Sequence, residues 1–374
     1  MAMKEITGKG IISGNGDDQR TLVVVFLRGG ADGLTLAPPV GDQGYYDARP
    51  TLAVAEKDVL KLGEANCGLH SSMSGLHDLF KEGALSVMPA VGLEDATRSH
   101  FYAQDLMEHG GHVAGGWLGR FLRYREGRTP TALSAVALGK AMPEVLRGAP
   151  AATVMQSMDT FSLGKSGGST AKLQAELAGL YSAETSLLGP AARDTLQALD
   201  RVAELGKKSY RPEHGAEYGD DSFSHGLSQA AQLIRARVGL EAVSLDLEGW
   251  DSHFAQDTLI NPMMTRLSEG LATFHQDLGQ LMEKVTVVVM TEFGRRVAEN
   301  SSFGTDHGSG GAMFVMGGGE EGKVGTMPEL EAGILIGPGD VPVTTDYRSI
   351  LGPVLKAHGA GKSMREIFPG FGMS

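Results

Sequence analysis

Six side chains able to bind a cation or move a proton lie at the ends of apolar runs. They are Asp32 in Arg28-Gly-Gly-Ala-Asp-Gly33, Asp251 and His253 in Gly249-Trp-Asp-Ser-His253, Glu292 in Thr291-Glu-Phe-Gly-Arg295, and Asp306 with His307 in Gly304-Thr-Asp-His-Gly308. Oxygen and imidazole donors in one set suit a divalent cation such as Zn²⁺, Mn²⁺, Mg²⁺, Ca²⁺ or Fe²⁺ better than a soft metal. Carboxylates gathered without a cation would repel one another strongly. Taken singly, each residue is ordinary, because a strand-end Asp commonly caps a helix and Asp-X-His recurs by chance. Their shared position at strand ends is what points to one metal site.

A hydroxyl nucleophile is the next requirement. Asp95-Ala-Thr-Arg-Ser-His-Phe101 follows an apolar run and leads into a helical pattern. A hydroxyl there would lie in the positive field of a helix N-terminus, and a nearby cation would lower its pKa. Ser99 is the first candidate and Thr97 the second; an ordinary N-cap at Ser99 is the competing explanation. Arg98 or Arg28 is placed to clamp an oxyanion bidentately, or to serve as a structural ion-pair partner.

These residues need a scaffold that brings strand ends together. Thr21-Leu-Val-Val-Val-Phe-Leu27 and Val285-Thr-Val-Val-Val-Met290 are continuous β-branched and apolar runs, the pattern of strands buried on both faces. Further strands are predicted at Ala84–Pro89, Ala132–Leu138, Ala152–Met155, Ala242–Leu247 and Gly311–Met316. Helices are predicted over Ser74–Glu82, His100–His109, Thr258–Met282 and Ser349–His358. Between about 169 and 238 the texture turns to Ala, Leu, Gln and Glu, read as a helical insertion within a single domain spanning 1–374. Strand–helix alternation implies an α/β fold, a doubly wound and mostly parallel sheet with helices on both faces. In such sheets ligands gather at the carboxyl ends of the strands.

Composition narrows the function classes. Net charge is −12 with no basic block, which disfavours a nucleic-acid partner. The 53 glycines, about twice the usual share of roughly 7%, cluster beside strand-like runs and show no period, which excludes a fibrous protein. Cys67 is the single cysteine, so neither an intrachain disulfide nor a thiolate cluster can form. No apolar run is long enough for membrane insertion, and Met1–Arg20 lacks the apolar stretch of a secretory signal. The chain therefore reads as cytoplasmic, with a periplasmic location after loss of a leader as the alternative. Oligomeric state is not legible.

Phe26-Leu-Arg-Gly-Gly-Ala-Asp-Gly33, Ser99-His-Phe101, Gly116-Trp-Leu-Gly-Arg120, Gly249-Trp-Asp-Ser-His253, Thr291-Glu-Phe-Gly-Arg295 and Gly304-Thr-Asp-His-Gly308 together resemble the bacterial domain of unknown function 1501 family. That family is placed with the alkaline phosphatase-like phosphatases and sulfatases. The resemblance implies one or two divalent metals at the strand ends and a Ser, Thr or formylglycine nucleophile. By position it makes Asp32 the early metal ligand, Asp251 with His253 the central pair, and His307 the late ligand assisted by Asp306. Glu292 stands where the superfamily usually has Asp-His, so one metal is expected rather than two. No Cys-X-Pro-X-Arg surrounds Cys67, which excludes formylglycine chemistry. Relatives often carry a twin-arginine leader, which this chain lacks.

The expected function is metal-dependent hydrolysis of a small-molecule phosphate or sulfate ester through Ser99 or Thr97. The alternative is a non-catalytic, degenerate member with a binding or scaffolding role. Stoichiometric metal separates the two. A dinucleotide-dependent dehydrogenase is a poor third, because Arg28-Gly-Gly-Ala-Asp-Gly33 is not G-x-G-x-x-G.

Overall fold

A computed structural model describes residues 19–372 apart from positions 96, 126, 164–167, 187, 208, 318–321 and 362. Most of the N-terminal stretch scanned for a leader lies outside the described residues. The described strands are β1 (Thr21–Arg28), β2 (Leu85–Gly92), β3 (Ala135–Leu138), β4 (Thr153–Met155), β5 (Ala242–Glu248), β6 (Val285–Thr291), β7 (Arg295–Glu299), β8 (Thr305–His307), β9 (Gly311–Met316) and β10 (Thr345–Asp346), besides a two-residue hairpin at Leu60–Lys61 and Gly68–Leu69. Eight of them form one sheet in the order β10-β2-β9-β6-β1-β5-β3-β4. Every pairing in it is parallel except those of β9, which runs antiparallel to β2 and β6.

β1 lies at the centre, pairing with β5 on one side and β6 on the other. Leu22 to Leu27 are all at most 3% exposed, so each side chain packs against helices above or below the sheet. Burying each such Val, Leu or Phe contributes roughly 1.5–3 kcal/mol. That explains why the run is continuously apolar and not alternating.

The helices used below are α1 (Ser74–Lys81), α2 (His100–His109), α3 (Trp117–Tyr124), α4 (Gly168–Ser182), α5 (Leu188–Gly206), α6 (Ser222–Arg235), α7 (Gln256–Leu278) and α8 (Tyr347–Ala357). On one face α1, α5, α6 and α7 cover Val23, Val25 and Leu27; on the other α3 and α8 cover Leu22, Val24 and Phe26. The sheet is therefore doubly wound. The stretch read as a helical insertion holds α4, α5 and α6, the last of which seats Phe223 and Leu227 in the core. Asp346 caps α8 by accepting from Arg348 N at 2.8 Å, as its position before Tyr347 suggests.

Sequence patterning does not reveal the reversal at β9. A fully apolar run buried on both faces reads the same in either direction. The reversal matters for the site, because it sends the start of β9 to the edge where β1, β2, β5 and β6 end. Residues preceding β9 and residues following the other four strands therefore meet.

Candidate metal centre

Four loops converge at that edge. Thr291 hands directly from β6 to Glu292, and the tight Phe293-Gly294 turn leads into β7. The antiparallel β7–β8 pair then sets His307 opposite Arg295. The loop after β5 carries Asp251 and His253, and the loop after β2 leads through Ser99 into α2. Close approach of these loops requires glycine at particular points. Gly29 has φ +120°, and a Cβ there would stand 2.6 Å from the Asp251 amide nitrogen.

Arg295 ties the loops together. Its guanidinium is fully buried and donates to the carbonyls of Gly29 (2.6 Å), Gly30 (2.7 Å) and Thr305 (2.9 Å), and to Asp251 Oδ1 (2.6 Å). Three imidazoles surround the same carboxylate. Asp251 Oδ1 lies 3.1 Å from His253 Nε2 and 3.3 Å from His307 Nε2, while Oδ2 lies 3.5 Å from His100 Nε2.

The outer nitrogen of each ring has its own acceptor. His100 Nδ1 meets Glu292 Oε1 at 2.9 Å, His307 Nδ1 meets the Arg98 carbonyl at 2.8 Å, and His253 Nδ1 meets Asp306 Oδ1 at 3.4 Å. A carbonyl can only accept, so the proton of neutral His307 sits on Nδ1 and its Nε2 lone pair faces inward. Glu292 draws the proton of neutral His100 onto Nδ1 in the same way, while His253 has a carboxylate at each nitrogen, Asp306 Oδ1 at 3.4 Å from Nδ1 and Asp251 Oδ1 at 3.1 Å from Nε2. Inside the cluster, His100 Nε2 is buried and has no hydrogen bond, His307 Nε2 lies 3.3 Å from Asp251 Oδ1, and His253 Nε2 lies 2.9 Å from His307 Nε2. Two lone pairs at that distance repel unless a proton or a cation lies between them. His100, His307 and Asp251 each offer one donor atom, all within 4.8 Å of one another, and His253 adjoins two of the three. Imidazole nitrogens with one carboxylate oxygen, each ring backed by an outer acceptor, match the donor chemistry of a divalent transition-metal site.

Electrostatics agree with this order. Partial burial alone would push the Asp251 carboxyl up, but the bond and charge of Arg295, with His307 and His253, hold it at about 2. Burial also acts upward on Glu292, and is outweighed by the hydrogen bonds from His100 and Gln104, which keep it ionised. The bond to Glu292 raises the His100 pKa, whereas burial lowers that of His307.

The structure thus brings Asp251, His253 and His307 together and sets two other expected ligands behind them. Glu292 Oε1 accepts from His100, Gln104 Nε2 (2.9 Å) and Gly29 N (2.9 Å), so it supports His100 from outside. Asp306 is held by Asn300 and Arg296, both at 3.2 Å, and supports His253. Asp32 departs from expectation altogether. It is 1% exposed, with Oδ2 at 2.5 Å and Oδ1 at 3.1 Å from the Arg49 guanidinium, and it also accepts from Thr35 and Gln256.

His100 and Arg295 are the residues that strand-end reasoning missed. Both occur in the segments that carry the family resemblance, but a His opening a helix and an Arg starting a strand have no distinguishing local signal. Ser99 is exposed, occupies the N-cap position of α2 and makes no capping bond. It lies between Arg98, whose carbonyl touches His307, and His100. Thr97 Oγ1 accepts from Ser99 N at 3.3 Å. Arg98 is paired with buried Asp340 at 2.5 Å. Arg28 is committed to Glu108 at 2.7 Å and Asp246 at 3.1 Å. Trp250 is fully buried and belongs to the hydrophobic core on the α7 side of the sheet.

A doubly wound α/β sheet with an Asp-and-His cluster at its strand ends defines the class. The family model for proteins of unknown function DUF1501 matches residues 88–336, so the chain belongs to that family. No curated protein matches the chain. Among solved structures, Ps i-CgsB in complex with k-i-k-neocarrahexaose is similar at 10% identity and TM-score 0.37, over 94% of this chain and 74% of that one. A protein from Pyrococcus horikoshii is similar at 10% identity and TM-score 0.34, over 95% and 99% of the two chains. The alkaline phosphatase from the Antarctic bacterium TAB5 is similar at 8% identity and TM-score 0.27, over 92% and 100%. Superpositions this loose carry no argument about chemistry, which has to come from the site itself. Among the described residues, no helix is long and apolar enough to cross a membrane.

Proposed function

We propose that this protein is a metal-dependent hydrolase of phosphate or sulfate esters, with one divalent cation held by His100, Asp251, His253 and His307. The observation that carries the reading is the convergence of three histidine Nε2 atoms on the Asp251 carboxylate, each ring having an outer acceptor beside its Nδ1. A cation bound there would act as a Lewis acid on the ester oxygens.

The chain's own residues supply the rest. Arg295 fixes Asp251 so that its carboxylate cannot swing away from the three rings. Glu292, Asp306 and the Arg98 carbonyl hold the rings in orientation from outside. Ser99 presents an exposed, uncapped hydroxyl beside His100 in the chain and is the nucleophile of choice, with Thr97, whose Oγ1 accepts from Ser99 N, as the second candidate. In-line attack by the Ser99 oxygen forms the new bond to phosphorus or sulfur as the alcohol leaves with the ester oxygen. Water then hydrolyses the resulting covalent ester and restores the hydroxyl. Arg98, the candidate oxyanion clamp, has one guanidinium nitrogen anchored on Asp340.

Protein purified without chelator is expected to carry about one metal equivalent and to turn over p-nitrophenyl phosphate or sulfate. Asp251→Ala and His307→Ala each lose the metal and at least about 10³-fold of the turnover, the scale set by several kcal/mol of lost Lewis-acid stabilisation. Full activity in either variant would overturn the assignment, and metal-free wild-type protein would favour a scaffolding role.

A further inference from the structure

A groove of about 530 Å³ opens at the carboxyl ends of β1, β5 and β3, walled on the far side by α6 and α7. Arg28 and Glu248, paired in register on adjacent strands, line it, and Glu248 precedes Asp251 by three residues. The groove therefore ends on the last residue of the strand whose following loop carries Asp251. Glu108, which holds Arg28, lies eight helical residues beyond His100, about 12 Å along α2 at 1.5 Å per residue. That is the separation expected between a reacting centre and the remainder of a substrate.

The lining is chemically distinctive. Arg28, Lys140 and Arg266 face Asp221, Asp246 and Glu248, so its formal charges cancel. Arg28 is already bonded to Glu108 and Asp246, and Asp221 caps α6 through Phe223 N and Ser224 N. A groove with no net charge, in which Arg28 is internally paired, is poorly suited to a polyanion. No aromatic side chain lines it among the described residues, which removes the stacking platform a nucleobase or aryl group would use. What remains is the polar side chains of Lys140, Gln156, Ser222, Ser244, Glu248 and Arg266, separated by apolar patches. We propose that the groove binds the non-reacting part of the ester, and that this part is a neutral, hydroxyl-rich, non-aromatic group of the glycosyl type. This inference rests on the hydrolase reading for its place in turnover but has a binding test of its own.

Gly139 lines the groove and has ordinary φ, and a Cβ added there would meet nothing within 4 Å, so Gly139→Trp is chosen to fill the space, with an unchanged denaturant midpoint as its folding control. Binding of neutral maltohexaose and methyl glycosides to the full chain, read by saturation-transfer NMR and calorimetry, is expected in the wild type. Gly139→Trp should weaken it at least tenfold, and the exposed charge reversal Glu248→Lys should weaken it several-fold. With sugar phosphates and sulfates as substrates, kcat/KM should fall at least tenfold in Gly139→Trp, while p-nitrophenyl ester turnover and metal content stay within twofold. Absence of saccharide binding to the wild type would overturn the proposal. So would tighter binding of a polyanion, or equal losses on aryl and glycosyl esters. Saccharide binding that persists without any ester turnover would instead sink the hydrolase reading and leave the groove assignment standing.

Discussion

Asp32 and Asp251 leave neighbouring strands of one sheet at the same edge, and in sequence they look alike: an acid a few residues past an apolar run. Their surroundings differ completely. Asp32 is closed, with both oxygens bonded to the fully buried guanidinium of Arg49 and further donors from Thr35 and Gln256. Asp251 is open, its side chain 47% exposed, with one arginine on one oxygen and three imidazole nitrogens facing it. A carboxylate whose every lone pair has a protein donor is structural. A half-exposed carboxylate ringed by imidazole nitrogens, which can turn lone pairs inward, can share a cation with them. Strand-end position selects the candidates, and the sign of the neighbouring groups decides between them.

The sharpest way to break this contrast is to open the closed site. Arg49→Ala should destabilise the protein by about 3–5 kcal/mol, because it strands a buried carboxylate. Chemical denaturation would show this as a lower midpoint, and Arg49→Ala with Asp32→Leu should recover part of the loss. Metal content per folded molecule should not change in either variant. A loss of metal in Arg49→Ala at full folding would join the two regions and contradict the comparison.

A second test uses an imidazole buried outside either region. His358 bonds Thr286 Oγ1, and burial pushes its pKa down to about 4. The folded state therefore holds it neutral while the unfolded chain protonates near 6.5. Its contribution is complete above about pH 6.5 and is lost as pH falls from about 6.5 to about 4, a change of roughly 3 kcal/mol. Denaturant midpoints measured on metal-free protein at about pH 7 and about pH 4.5 should show this drop, and His358→Gln should flatten it. An unchanged slope in His358→Gln would mean that the cluster histidines, and not this isolated one, govern acid stability.

The smallest expected effect concerns the outer acceptors. Glu292→Gln removes the charge behind His100 and should weaken metal binding about 10- to 100-fold, with the fold intact. Competition with a chelator of known affinity would measure it. Complete loss of the site in this variant would make Glu292 a direct ligand, as the sequence alone suggests.

Much of the scaffold is readable from local pattern. β1, β6 and α2 lie close to their predicted bounds because their apolar periodicity is unambiguous. The direction of β9 is not readable, since a strand apolar on every residue carries no polarity signal. Within the cluster, Asp251, His253 and His307 are reachable because each stands beside a strand in the chain. His100 is hidden eight residues past β2, where it reads as the first residue of a helix after its cap. Asp32 misleads for the opposite reason. Its partner Arg49 returns from 17 residues away and Gln256 from 224, and neither pairing leaves a trace in composition or spacing.

The central claim is the identity of the atoms around one cation. A crystal structure of the protein loaded with Zn²⁺ or Mn²⁺, with anomalous data collected at the metal edge, tests it directly. The account predicts a single strong peak bonded to the Nε2 atoms of His100, His253 and His307 and to Asp251, with Glu292 and Asp306 one shell out. A peak at Asp32, a peak ligated by Glu292 in place of His100, or no peak in metal-loaded protein would contradict it.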